Sequence, residues 1–298
     1  MSRYRSIVLA LASVGMFAAG AGAHAQEGSD APSWTGHVDV VSKYVLRGIT
    51  TTYGPSKPGL GNEGADAPES NRAALQWGLD YTHPSGFYAG YWASTINYSY
   101  KQLGRSYSDR SGTLDFQQDK SIENDFYAGY KGKVGDFGYN AGLIGYAYYN
   151  GKNANGVESK LAVSYSDFEL SAQTLLNDTV WGNKGDTYWT LNYSKPLVNS
   201  LMFTASLGYY TYNKEGKYLG TYDTYLGTAC AAGESFAVSG CVAGNAPTSG
   251  GFRHLIVGLS QPIANTGITW SLTGIIGGEN RFGISQSNRI VAGLSYGF

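Results

Sequence analysis

Apolar and polar residues alternate with a period of two along most of the chain beyond residue 33. The segments LQWGLDY at residues 75–81 and RIVAGLSYGF at residues 289–298 carry an apolar residue at every second position. This period indicates β-strands whose two faces meet different surroundings. We predict strands at residues 34–48, 71–82, 86–99, 121–131, 136–150, 156–166, 168–178, 187–195, 201–213, 251–262, 267–278 and 287–298.

The connections between these strands alternate between two classes. One class is short, and three connections of the other class, at 49–70, 100–120 and 214–250, are too long for ordinary hairpins. An even strand number with short periplasmic turns and longer outer loops is typical of bacterial outer-membrane β-barrels. The pattern therefore predicts an all-β fold, a transmembrane antiparallel up-and-down barrel of twelve strands. We expect residues 218–226 to extend a hairpin beyond the membrane rather than to add a thirteenth strand.

The N-terminal segment has the organisation of a secretory signal peptide. Two arginines, Arg3 and Arg5, precede an apolar run at 7–19 and a small-residue site that ends at Ala25. Cleavage there would divide the chain into a signal peptide, 1–25, and a barrel domain, 26–298. Beyond Ala25 no run approaches the roughly 20 apolar residues that a transmembrane helix needs. A membrane-spanning form of the mature chain would therefore have to be a barrel.

Composition agrees with an exported β-protein. The 298 residues include 42 glycines and 25 tyrosines, and tyrosine suits both strands and membrane–water interfaces. A soluble all-β secreted domain would also fit this composition. The formal net charge of −1 lacks the basic excess that nucleic acid requires of a partner.

Two cysteines, Cys230 and Cys241, lie in a polar stretch rich in glycine and alanine. In an exported chain such a pair predicts a disulfide bond. A metal site is the less favoured alternative, because no histidine or acidic cluster with ligand spacing lies beside them.

The inventory for catalysis is poor. His37, His83 and His254 are expected at a strand end, in a turn and at a solvated outer rim, and none is placed beside a serine and an acid. We therefore expect no enzymatic activity, and we expect no cofactor and no metal.

Several segments are similar to the TorF family of proteobacterial porins. These are SKYVLRGIT at 42–50, WGLDYTHPSGFYAG at 77–90 and DFYAGY at 125–130. The resemblance implies a pore in the bacterial outer membrane. The terminal LSYGF, with Tyr296 and Phe298 as its aromatic residues, resembles the signal read by the outer-membrane assembly machinery, which this implies as a partner beside outer-membrane lipid.

The strand face opposite the apolar one is expected to line the lumen. It carries charges of both signs, and a lipid-facing Arg or Lys near the membrane centre would cost about 2 to 4 kcal/mol. The candidates for contact with a permeant solute are Arg47, Arg72, Asp80, Lys43, Asp125 and Arg289. The alternative is that Arg47, Arg72 and Asp80 form a buried ion-pair network that fills a narrow barrel. Loops 49–70 and 100–120 could fold inward as a constriction or lie on the surface.

The function that follows is passive diffusion of small hydrophilic solutes through an outer-membrane, porin-like channel. The alternative is a structural or adhesive barrel with a plugged lumen, whose cysteine-bearing loop binds a ligand outside. A third possibility, a barrel enzyme that acts on lipid, is disfavoured by the placement of the histidines.

Overall fold

A computed structural model describes residues 31–50, 72–96, 99–101, 120–223, 227–229, 248–281 and 283–298. The predicted signal peptide and the cysteines Cys230 and Cys241 lie outside the described residues. Twelve strands form one closed barrel. They are β1 (Ser33–Val41), β2 (Ala74–Thr82), β3 (Phe87–Ile96), β4 (Ser121–Val134), β5 (Phe137–Tyr148), β6 (Gly156–Tyr165), β7 (Phe168–Leu175), β8 (Thr187–Pro196), β9 (Met202–Thr211), β10 (Gly250–Pro262), β11 (Ile268–Gly277) and β12 (Arg289–Gly297).

Every strand pairs antiparallel with its sequence neighbours, and β12 pairs with β1 to close the barrel. At this seam His37 lies opposite Gly297 and Val41 opposite Gly293. Closure leaves no strand edge with unpaired backbone groups, which is the condition for a sheet in hydrocarbon. The predicted fold class and the number of strands are confirmed.

The predicted sorting of the connections is also confirmed. The connections at one end, called here the turn end, are 83–86, 135–136, 166–167, 197–201 and 263–267. Those at the other end, the loop end, are longer, and the one between β9 and β10 contains a short hairpin of Tyr222–Asp223 with Thr228–Ala229. That hairpin forms a separate two-stranded sheet rather than a thirteenth strand of the barrel.

The outer face of the barrel is apolar. Leu161 is 62 % exposed and Ile290 69 % exposed, whereas the neighbouring Lys160 and Val291 are buried. Aromatic rings form a girdle at the turn end, where ring pairs such as Trp34–Tyr81 and Phe168–Tyr193 lie 4.9 Å apart. An apolar band bordered by aromatic rings is the surface of a barrel that faces lipid. Among the described residues, no helix has the length and apolar character to cross a membrane.

Close ring-to-wall packing explains part of the glycine content. Tyr88 on β3 lies across Gly129 and Gly142 of the next two strands, where an added Cβ would come within 2.4 Å and 2.6 Å of its hydroxyl. Tyr127 lies over Gly90 in the same way. Because glycine has no side chain, these rings can lie flat on the inner wall.

The predicted end of the first strand, residue 48, is wrong. Strand β1 ends at Val41, and Ser42 makes the last bond to β12, from its backbone N–H to the Ala292 carbonyl at 2.8 Å. The chain then turns into the barrel through a 3₁₀ turn, Leu46–Gly48, in which Arg47 has φ +49° and Gly48 has φ +74°. Two successive left-handed residues cannot continue a strand, so Lys43 and Arg47 are not wall residues.

Candidate functional site in the barrel lumen

Residues 42–50, called here the lumen segment, run inside the barrel at the loop end. Tyr44, Val45 and Arg47 of this segment are buried. Its far end is held by Thr50, whose N–H donates to Gln286 Oε1 at 2.7 Å and whose hydroxyl accepts from the Ser287 N–H at 2.8 Å. The lumen segment is therefore anchored at both ends and packed between them.

Arg47 is the centre of this packing. Its Nη1 and Nη2 donate to the two carboxylate oxygens of Glu158 at 2.9 and 2.6 Å. Nη1 also donates to Tyr210 Oη at 2.7 Å, and Nη2 donates to Tyr146 Oη at 3.0 Å and to Gln173 Oε1 at 2.7 Å. The ring of Tyr188 faces the guanidinium carbon at 4.6 Å. Arg47 and Glu158 are 5 % and 2 % exposed, so this is a desolvated, bidentate ion pair.

A second carboxylate is satisfied by tyrosines. Glu123 on β4 is fully buried and accepts from Tyr44 Oη at 3.0 Å and from Tyr148 Oη at 3.2 Å. Its neighbour on the same inner face, Asp125, is also fully buried, and among the described residues neither of its carboxylate oxygens has a hydrogen-bond partner. The wall around Arg47 is therefore acidic.

A β-bulge on β10 brings two consecutive residues into the lumen. The register between β10 and β9 shifts between Phe252 and His254, so Arg253 and His254 both lie inside and are buried. Arg253 Nε donates to the Arg47 carbonyl at 3.0 Å, and the His254 ring bonds to Tyr188 Oη at 2.6 Å. The prediction that His254 is a solvated rim residue is therefore wrong.

A separate ion pair ties the loops together above the lumen. Arg281 Nη1 donates to Asp186 Oδ2 at 2.6 Å, and Asp186 also accepts the N–H groups of Asn183 and Asn213, both at 2.8 Å. Burial raises the pKa of Asp186, and the Arg281 guanidinium opposes that shift. Burial also raises the pKa of the nearby Tyr212 phenol to about 12.

The structure separates the residues that were expected to line a solute path. Arg47 and Asp125 lie in the buried cluster at the loop end. Arg72 is exposed and precedes β2, while Asp80 lies toward the turn end and accepts from Tyr127 Oη at 2.5 Å. Arg47, Arg72 and Asp80 therefore do not form one network.

The two remaining lumen candidates are half-buried, and the two terminal aromatic residues lie on the outer face. Lys43 is half-buried in the lumen segment, and Arg289 is half-buried at the start of β12, where it donates to the Asn288 carbonyl at 3.1 Å. Tyr296 and Phe298 are 51 % and 70 % exposed on the outer face.

Sequence reasoning missed the tyrosines Tyr44, Tyr146, Tyr188 and Tyr210 as site residues. Tyrosine occurs on both faces of these strands. The residue type alone therefore does not show whether a tyrosine lies in the outer girdle or in the lumen. Arg253 was missed because a strict period of two assigns it to the opposite face from His254. The adjacent polar pair in an otherwise apolar strand was the available signal for a bulge.

Within the part of the chain that the structure describes, no group of three or more His, Cys, Asp or Glu side chains is arranged to hold a metal ion. The site that the structure assembles is instead an acidic, tyrosine-rich wall closed by an arginine from the lumen segment.

Comparisons with solved structures return outer-membrane proteins at low identity. Outer membrane phospholipase A from Escherichia coli is 13 % identical, with 90 % of this chain and 98 % of that chain covered and a TM-score of 0.39. The outer membrane protein OprD from Pseudomonas aeruginosa is 12 % identical, with 78 % of this chain and 61 % of that chain covered and a TM-score of 0.34. No curated protein sequence matches.

One family model matches residues 63–252, and its description is "Bacterial protein of unknown function (Gcw_chp)". This match does not confirm the resemblance to TorF porins, which stays a prediction. The match covers more than half of the chain, and the chain therefore belongs to the Gcw_chp family.

Proposed function

We propose that this protein is a non-catalytic channel of the bacterial outer membrane for small hydrophilic solutes, and that the lumen segment closes it in the conformation described here. The apolar band and the aromatic girdle support a location in lipid with the short turns in the periplasm. Outer-membrane lipid and the assembly machinery are then its partners, as the terminal aromatic residues suggest.

The observation that carries this proposal is the position of the lumen segment inside the barrel. Residues 42–50 lie in the loop half of the lumen without being part of the wall, and Arg47 makes five hydrogen bonds to wall residues. Arg47 holds this position with φ +49°, a left-handed conformation that costs about 1 to 2 kcal/mol for a non-glycine residue. Because this segment is separate from the wall and conformationally strained, it can move out of the lumen without disrupting the strand pairing of the barrel.

A structural barrel with a permanently plugged lumen is the second candidate, and one observation favours it. Four of the five side chains around Arg47 are buried, and Tyr146 also bonds to Glu158. An adhesive role would rest on the cysteine-bearing loop 214–250, of which residues 224–226 and 230–247, with both cysteines, lie outside the described part of the chain.

Conductance in planar bilayers separates the two candidates. We expect the wild-type protein to open rarely and Arg47→Ala to conduct in a sustained way. Conduction in the variant should favour cations, because Glu123, Asp125 and Glu158 remain on the wall.

The matched control is Arg281→Ala, which removes an arginine of the rim pair and should leave conductance at the wild-type level. A folded Arg47→Ala barrel without current would overturn the channel and support the plugged barrel.

A further inference from the structure

Five neighbouring strands each contribute one side chain to the pocket that holds the Arg47 guanidinium. Glu158 comes from β6, Gln173 from β7 and Tyr146 from β5, and Tyr188 and Tyr210 come from β8 and β9. All five belong to the barrel wall, and none belongs to the lumen segment. The pocket would therefore persist after the segment moved away.

Contacts among the wall residues hold this pocket in place independently of Arg47. Tyr146 Oη donates to Glu158 Oε2 at 2.6 Å, which orients the carboxylate. Tyr188 is held by its bond to His254 at 2.6 Å and packs on Tyr210 with ring centroids 5.0 Å apart. The Glu158 carboxylate and the two rings are thus held by wall residues before any cation binds, which lowers the cost of binding.

The geometry of the pocket suits a guanidinium rather than an ammonium group. Four acceptor groups meet the two terminal nitrogens of Arg47, two of the bonds form a fork to one carboxylate, and an aromatic ring covers the planar face at 4.6 Å. A lysine ammonium is a compact point charge that cannot form this fork or stack through a plane. The ring adds a cation–π contact that is strongest in a desolvated site.

We infer that the inner wall carries a receptor for guanidinium compounds, such as free arginine, and that Arg47 occupies it as an internal competitor. This inference rests on the proposed channel function and names the solute class: a guanidinium-bearing cation would bind to the wall and displace the lumen segment. The receptor itself is a binding site, so it is testable without current.

The test uses the full mature chain reconstituted in lipid, with L-arginine and L-lysine as probes. In Arg47→Ala the pocket is vacated, and we expect L-arginine to raise the thermal unfolding midpoint at concentrations at least ten-fold below those needed for L-lysine. Ten-fold corresponds to about 1.4 kcal/mol of selectivity. Adding Glu158→Gln to this variant should abolish the preference. Arg281→Ala, which vacates the rim pair instead, should show no preference for arginine.

The same variants separate the two proposals in bilayers. In Arg47→Ala, L-arginine should block current and L-lysine should not. Stabilisation by arginine without any current overturns the channel and leaves the receptor standing. Current without an arginine preference, or a preference that survives Glu158→Gln, overturns the receptor.

A further measurement covers the case in which Arg47→Ala does not fold. Arg47→Lys keeps a cation at this position but lacks the fork, so L-arginine should displace it more readily and raise the thermal unfolding midpoint more than it does in the wild-type protein. An equal response to L-lysine would overturn the receptor as well.

Discussion

The two halves of the barrel lumen are filled by different means. In the turn half, side chains of the wall pack against one another. Tyr88 lies across two glycines and donates to Asn140 at 2.7 Å, and Ser206 donates to Asn192 at 2.7 Å. These four side chains are half-buried. In the loop half, the lumen segment enters the space and its Arg47 joins five wall strands. The packing of the turn half is therefore a property of the sheet, and that of the loop half depends on the buried Arg47 and its partners.

This difference predicts where the molecule is sensitive to mutation. Removing one partner from a desolvated ion pair leaves the other charge buried without compensation. Removing a half-exposed polar group lets water replace it. We expect large effects of charge removal at the loop end and small ones at the turn end.

The largest effect is expected for Glu158→Ala, which leaves the Arg47 guanidinium without its carboxylate. The free energy of unfolding should fall by about 3 to 5 kcal/mol, measured by urea unfolding in lipid vesicles. The matched control is Asp167→Ala at the turn end. Asp167 forms a partly exposed ion pair with Lys195 at 3.4 Å, so its removal should cost less than about 1 kcal/mol. Equal losses for the two variants would contradict the comparison.

The next effect concerns the turn that brings Arg47 into the lumen. Gly48 has φ +74°, and an added Cβ would lie 2.8 Å from His254 Cβ. Gly48→Ala should destabilise the barrel by about 2 to 4 kcal/mol, through backbone strain and overpacking together. Gly135→Ala is the control, because Gly135 has φ +60° with no atom within 4 Å of the added Cβ. The difference between the two unfolding free energies reports the contacts with His254 and the Arg253 carbonyl, and no difference would show that the lumen segment is loosely packed.

A smaller effect is expected at the ring-over-glycine contact of the turn half. In Gly90→Ala the new Cβ would lie 2.4 Å from the Tyr127 ring, so the ring must move and its bond to Asp80 must lengthen. A loss of about 1 to 3 kcal/mol is expected. Gly145→Ala on the outer face, where the nearest atom is 3.9 Å away, should be neutral or slightly stabilising. Equal behaviour of the two variants would mean that the ring does not need the glycine.

The smallest effect on stability, with a separate effect on biogenesis, is expected for Phe298→Ser. The backbone bonds between Phe298 and Gly36, at 2.8 and 2.9 Å, do not involve the side chain, and the ring is 70 % exposed. Unfolding free energy should change by less than about 1 kcal/mol, while the amount of folded protein in the outer membrane should fall. Phe137→Ser removes another exposed girdle ring, 54 % exposed, without touching the terminus. Equal membrane levels of both variants would contradict a role of Phe298 in assembly.

The sequence by itself determined the number of strands, their direction and the polarity of their faces. These follow from a local choice at each position, because an apolar side chain is stable toward lipid and a charged one is not. Residues such as Leu161 and Lys160 thus reveal their faces without knowledge of the rest of the chain. The sorting of short and long connections is equally local.

Only the tertiary structure decided what fills the lumen. Residues 42–48 keep the strand-like alternation, so Arg47 has the inward parity whether it lies on the wall or crosses the lumen. The choice depends on partners more than 100 residues away in sequence, Glu158 and Tyr210 among them, and a period of two carries no information about them. The bulge that turns Arg253 inward is decided in the same way, because the Arg47 carbonyl it binds exists at that place only in the folded barrel.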